Sequence, residues 1–162
     1  MWKTLGFTVV LVCALPGLAS ARVERAVPFE DGLWSGGLET GQDGQSVEEC
    51  WARTAFDDGT VLTLAERGGG GWHMTLSNPG WQLSPGRPYG LVAVVDTYPA
   101  VPVAAEAVNR TRLEFANIER IPLLGFIENG HTIDLKSDGF NAKYGLEGSA
   151  MAIAKVRSCF AR

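Results

Sequence analysis

Apolar and polar residues alternate along much of this chain with a period of two. That period marks strands with one face buried and the other wet. It is cleanest over 72–77, where Trp72, Met74 and Leu76 interleave with His73, Thr75 and Ser77. Turn signals recur about every eight to twelve residues, the spacing of an all-β sandwich or barrel. Asp57-Asp58-Gly59, Gly68 to Gly71, Asn78-Pro79-Gly80, Ser84-Pro85-Gly86 and Asp138-Gly139 are the strongest. Between them the pattern predicts strands over 33–38, 47–56, 60–66, 72–77, 89–95, 131–135 and 140–146. A short strand at Trp81 and Leu83 and two weaker ones over 101–108 and 111–115 complete the set.

The period changes twice. Residues 121–128 read as a short helix, with Pro122 near its start and Asn129-Gly130 after it. Residues 150–160 read as a longer one. Ala152, Val156 and Cys159 share a face by their spacing, Ile153 and Phe160 widen it, and Ser149 is placed to cap the first free amides. The expected architecture is mainly β: an antiparallel sandwich or barrel of about eight strands with a C-terminal α-helix.

Length and cysteine count refine this picture. Of 162 residues, 1–21 have the three parts of a secretory signal peptide. Lys3 is positive, 5–15 is apolar, and Ala19-Ser20-Ala21 is a small-residue cleavage site. The apolar run is shorter than the roughly 18 residues a spanning helix needs. Residues 22–32 read as a flexible arm and 33–162 as a single β-rich domain. Removing the signal takes Cys13 with it and leaves Cys50 and Cys159, an even pair. Export places them in an oxidising compartment, where such pairs bridge. The expected location is periplasmic or secreted.

The formal net charge is −4. The acid is concentrated early and no basic stripe is present, which argues against nucleic acid as a partner. Beyond 1–21 the sequence holds no apolar segment of transmembrane length. Oligomeric state is not legible.

Candidate chemistry is sparse. His73 and His131 stand outside any metal-ligand spacing, so neither a metal nor another cofactor is expected. Glu48 and Glu49 are adjacent on a strand and point to opposite faces, so they cannot act as a facing pair. Asp57 and Asp58 belong to a turn. The glycine run lacks the ending of a phosphate loop. Asn109-Arg110-Thr111 matches a short glycosylation sequon. Four tryptophans follow the signal: Trp34, Trp51, Trp72 and Trp81. Trp72 follows the core alternation. Trp51 is out of phase with Cys50, and Trp81 lies between two turns. Trp51 and Trp81 are therefore the candidate binding aromatics.

Several of these residues together carry a resemblance. Trp34, Cys50 with Ala52, the run 80–86 leading into an apolar strand that ends at Asp96, and Leu146-Glu147-Gly148-Ser149 before an Ala-rich helix occur in this order. The order resembles small exported proteobacterial proteins of the invasion-associated locus B type and related uncharacterised periplasmic domains. The resemblance implies a non-enzymatic β domain in the periplasm or at the cell surface, linked in some members to host-cell entry. The chain departs from that pattern in lacking the extra cysteines usual near the centre of the domain. It carries over no catalytic residues.

The sequence thus points to an exported, non-catalytic β domain that binds an envelope or secreted protein. An inhibitor of a lytic enzyme, either lysozyme or a protease, is the second reading. A small hydrolase built on Asp96 or the acidic pairs with His73 or His131 is the third.

Overall fold

A computed structural model describes residues 24–44 and 46–160. The expected signal peptide with its Ala19 and Ala21 lies outside them. Ten strands follow in order: β1 Glu24–Asp31, β2 Trp34–Thr40, β3 Val47–Ala55, β4 Val61–Arg67, β5 Gly71–Ser77, β6 Pro88–Val95, β7 Val101–Asn109, β8 Arg112–Ala116, β9 Thr132–Ser137 and β10 Phe140–Gly145. Two helices, α1 Leu123–Asn129 and α2 Ser149–Cys159, flank the last hairpin.

All ten strands join one antiparallel sheet in the order β1-β2-β3-β4-β5-β8-β7-β6-β9-β10. The mainly β class with a C-terminal helix is as the alternation implied. The sheet is open, with β1 and β10 at its edges. It is also strongly curled. The Phe56 ring, just after β3, stacks on Tyr144 of β10 at 4.7 Å. The Tyr144 hydroxyl lies 3.3 Å from Thr60 Oγ1, just before β4. In a flat sheet, strands six places apart would be separated by about 30 Å.

The concave face holds the core. Leu62, Leu64, Met74, Leu76, Phe115 and Leu135 are nearly inaccessible there. α2 packs on β2, β3 and β4, and α1 packs on α2 and β6. Ala152, Ile153 and Val156 are the buried positions of α2, the face its spacing implied. The Ser149 hydroxyl does not cap the helix. The cap position falls on Gly148, and the hydroxyl instead donates to the Ile127 carbonyl at 2.6 Å, tying α2 to α1 in a buried site. Gly148 has φ +85, and a Cβ there would sit 3.1 Å from Trp34 Cδ1. The left-handed φ favours glycine, and a Cβ would also press on the Trp34 ring. Trp34 Nε1 donates to the neighbouring Glu147 carbonyl at 2.8 Å, joining the start of β2 to the end of β10.

Cys50 and Cys159 form a disulfide with Cα atoms 6.3 Å apart, fixing the end of α2 to β3.

Two further sequence expectations change. Residues 24–31, read as part of a flexible arm, form β1 against β2. Their register shifts between Arg25 and Phe29, a stretch that contains Pro28. A proline cannot donate to a ladder, which hides such a strand from pattern reading. Trp81 and Leu83 form no strand. Their amides bond to the Asn78 and Arg110 carbonyls, so the chain crosses the end of the sheet instead of joining it.

The disulfide closes a long loop, with a sequence separation of 109. Replacing both cysteines by serine is expected to cost about 2–5 kcal/mol of stability, read from urea midpoints. Unreduced protein is expected to show neither Cys50 nor Cys159 to an alkylating reagent, read by mass spectrometry.

Candidate functional site

Each histidine sits in a cluster of ionisable residues, and both places are occupied by structural work. The first is the convex face of β3, β4, β5 and β8. His73 lies opposite Ala65 and Ala116 and is buried, its side chain 3% exposed. This corrects the reading of an exposed histidine on a polar face. Arg67 of β4 contacts Glu49 of β3 at 3.4 Å and Glu114 of β8 at 3.0 Å, so its side chain spans β5 where His73 sits. His73 Nε2 is 3.6 Å from Glu49 Oε2, while its Nδ1 is buried with no hydrogen-bond partner among the described residues.

Burial, reinforced by Arg67 and Arg112, pushes the His73 pKa down to about 4, against a pull upward from Glu114. Glu49 moves the other way, raised by burial and by Glu39, although Arg67 opposes the rise. Trp51 shares this convex face. It is only 7% exposed, with the Arg53 guanidinium 4.8 Å from its ring centroid. That removes it as an exposed binding aromatic. The alternation was right about its direction; the charged neighbours that cover it were not legible.

The second place joins Asp96 and His131. Asp96 Oδ2 accepts the His131 backbone N–H at 2.8 Å, and Oδ1 accepts the Thr132 N–H at 2.8 Å and its hydroxyl at 3.0 Å. The His131 ring nitrogen Nδ1 lies 3.4 Å from Oδ2. These bonds, the His131 N–H foremost, hold the Asp96 carboxyl below its usual range. Asp96 itself has φ 45 in the turn that leads from β6 toward β7, and its carboxylate ties that turn to the start of β9. Asp58 does similar work, accepting from the Thr60 N–H and hydroxyl. Glu48 is exposed and Glu49 is half-buried, on opposite faces as expected. Among the described residues no group of three histidines, cysteines or carboxylates is arranged to hold a metal ion.

A further feature is an apolar pocket of about 390 Å³ at one mouth of the curled sheet. Leu91 of β6 and Leu113 of β8 are buried and belong to its floor. Trp81 and Phe140 meet edge to face at 5.9 Å and 82° and form one wall. Leu83 and Tyr89 form another. Ser137 and Asp138 bring polar groups to the rim. Trp81, Leu83, Tyr89 and Phe140 are half-buried, so each still offers ring or chain surface to the opening.

Local chemistry fixes these walls. Asn78 Oδ1 accepts the Gly80 N–H at 2.8 Å, and Asn78 Nδ2 donates to the Asp58 carbonyl and to Thr60 Oγ1. The segment bearing Trp81 is thereby anchored to the turn after β3. Leu83 is held by the Arg110 carbonyl. The Ser84 N–H reaches the Tyr89 hydroxyl at 3.3 Å, and Arg87 lies over the Tyr89 ring at 5.5 Å. Phe140 rides on the tight Asp138-Gly139 turn, where Gly139 has φ +79.

Of the two tryptophans singled out from the sequence, the pocket therefore includes Trp81 and not Trp51. Phe140 and Tyr89 were missed. Both carried a signal: Phe140 directly follows a turn and leads β10, and Tyr89 lies at the start of β6 soon after the Ser84-Pro85-Gly86 turn, which puts each at a sheet end.

Comparison with protein-family models, curated proteins and solved structures found no match for this chain.

His73 gives the site its pH test. A histidine with a folded pKa below its unfolded value contributes stability that is present above about pH 6.5 and is lost as pH falls toward about 4. The raised Glu49 acts oppositely, contributing at low pH and less as pH rises through its folded value. The difference between wild type and His73→Gln isolates the histidine. Between pH 7 and pH 4, wild type is expected to lose up to about 3 kcal/mol more than the variant, read from urea midpoints at each pH.

Proposed function

We propose that this chain is an exported, non-catalytic binding domain that seats an apolar group of its partner in the pocket walled by Trp81 and Phe140. The observation that carries the reading is the pocket itself. It has an apolar floor and aromatic walls held by backbone hydrogen bonds, with a few polar groups at the rim. Sites of this composition at the mouth of a curled sheet are the usual places for apolar ligands. A pre-formed aromatic wall also loses little rotamer freedom when it binds.

The reading without catalysis draws support from the titratable groups. The Asp96 carboxylate is engaged by three donors from 131 and 132, and His73 is buried under the Arg67 strap. Neither lines the pocket. Export draws its support from the signal-like 1–21 and from the Cys50–Cys159 bond, since such bonds persist in oxidising compartments. The partner envisaged is another envelope or secreted protein. An inhibitor would present a polar loop standing away from the body; the loop that carries Trp81 is instead bonded down onto neighbouring turns.

Indole is a suitable probe of the pocket. Its titration is expected to shift the Trp81, Phe140 and Leu113 side-chain resonances and leave those of Trp34 in place. Trp81→Ala is expected to weaken binding at least tenfold. Trp51→Phe should bind as wild type does. Indole shifts spread evenly over the surface, or an unaltered affinity in Trp81→Ala, would remove the pocket from consideration.

A further inference from the structure

Among the described residues β10 ends the sheet, pairing with β9 alone. Its register decides which backbone groups are spent. Phe140 faces Ser137 across the two-residue Asp138-Gly139 turn, and a turn of that length closes with a pair that exchanges both hydrogen bonds. The alternation then directs the even-numbered residues of β10 toward β9. The Leu146 N–H bond to the His131 carbonyl at 2.7 Å continues the same phase. Asn141, Lys143 and Gly145 accordingly turn their N–H and C=O groups to the open side. Asn141 and Lys143 are exposed, and Ala142 between them is only half-buried, so this edge is uncovered. At its far end the Glu147 carboxylate occupies the space beside Gly145 into which a Cβ would point. About five residues of edge remain, and they begin at the pocket.

We propose that β10 accepts an extended segment of another protein as an eleventh strand, and that one apolar side chain of that segment fills the Trp81–Phe140 pocket. This rests on the binding-domain reading and names the kind of partner. The edge and the pocket are continuous, because Ser137, Asp138, Gly139 and Phe140 line the pocket and form the hairpin that leads into the edge. A residue set opposite Phe140 would share its face, the one turned to the pocket. Residues set opposite Asn141 and Lys143 would lie on the convex face beside Lys143 and Lys136, with Asp134 across from Lys143. A carboxylate opposite Lys143 completes that row. The segment is therefore extended, with apolar residues alternating with acidic ones. Backbone hydrogen bonds supply affinity and the alternate side chains supply selectivity. A second copy of this chain fits less well. Antiparallel pairing of β10 with itself in full overlap sets Lys143 against Lys143 or against Asn141, and brings no carboxylate.

The test uses the full chain and a nine-residue blocked peptide alternating valine and aspartate, with phenylalanine at the central apolar position. A second peptide carries N-methyl groups on the amides that would face β10. Binding is read by calorimetry, and position by amide shifts of Asn141 and Lys143. The expected result is binding of the first peptide, at least tenfold weaker binding of the methylated one, and competition by indole. Lys143→Pro removes an amide that β9 does not use, and should weaken the first peptide tenfold while leaving indole affinity unchanged. Equal affinity for both peptides with indole still bound would overturn strand addition and leave the pocket reading standing. Loss of both peptide and indole binding would overturn both. A dimer at micromolar concentration by sedimentation, dispersed by Lys143→Pro, would assign the edge to self-association and overturn the proposal.

Discussion

A sheet of ten strands with an apolar face must take that face out of water, and this chain does so with two short helices and curvature. Flat, the sheet would need a second layer as wide as itself. Curled, it brings β10 within ring-stacking distance of the residue after β3, so the two flanks of the sheet cover each other. The wedge left between them is filled by α1 and α2. Everything else follows from keeping that wedge in place: the Ser149 bond to the Ile127 carbonyl, the Trp34 bond to the Glu147 carbonyl, the glycine at 148, and the disulfide at the far end of α2. Each of these ties a helix or the chain leading into it to something distant in sequence.

The wedge also explains where the pocket is. The helices fill the concavity beside β2, β3 and β4. The mouth near Leu91 and Leu113 is left to the crossing segment that carries Trp81. That segment is too short and too rich in turn residues to pair as a strand, and it roofs the mouth only in part. A partly roofed mouth with aromatic walls is what a binding site needs: surface that is already desolvated on one side and held still on the other.

Much of this was legible in the sequence, for physical reasons. The apolar phase of β5, with Trp72, Met74 and Leu76, and the spacing of buried residues on α2 report the core-facing side directly, because one side of each element meets the core. The Asp138-Gly139 turn reports itself, because few residue pairs adopt its backbone. The convex face was not legible. His73 and Trp51 fall on the outward phase and are buried all the same, among long charged side chains such as Arg67 and Arg53 whose positions depend on strand order. Strand order is a long-range property, and β8 beside β5 could not be read from local pattern. The pocket was half visible. Trp81 stood out as an aromatic between turns, but its meeting with Phe140 depends on the curl.

The same strand order sets a sequence of events for the growing chain. β2 to β5 are consecutive neighbours and can pair as they emerge, since chains are made from the N-terminus and elements fold as they become available. Cys50 is then already seated in a formed hairpin, and its partner arrives last, on the final helix. Until that arrival the thiol of Cys50 is open to any other oxidant or thiol in its compartment. The bond between the two cysteines is thus a completion mark: a molecule that carries it has brought the end of its last helix to β3.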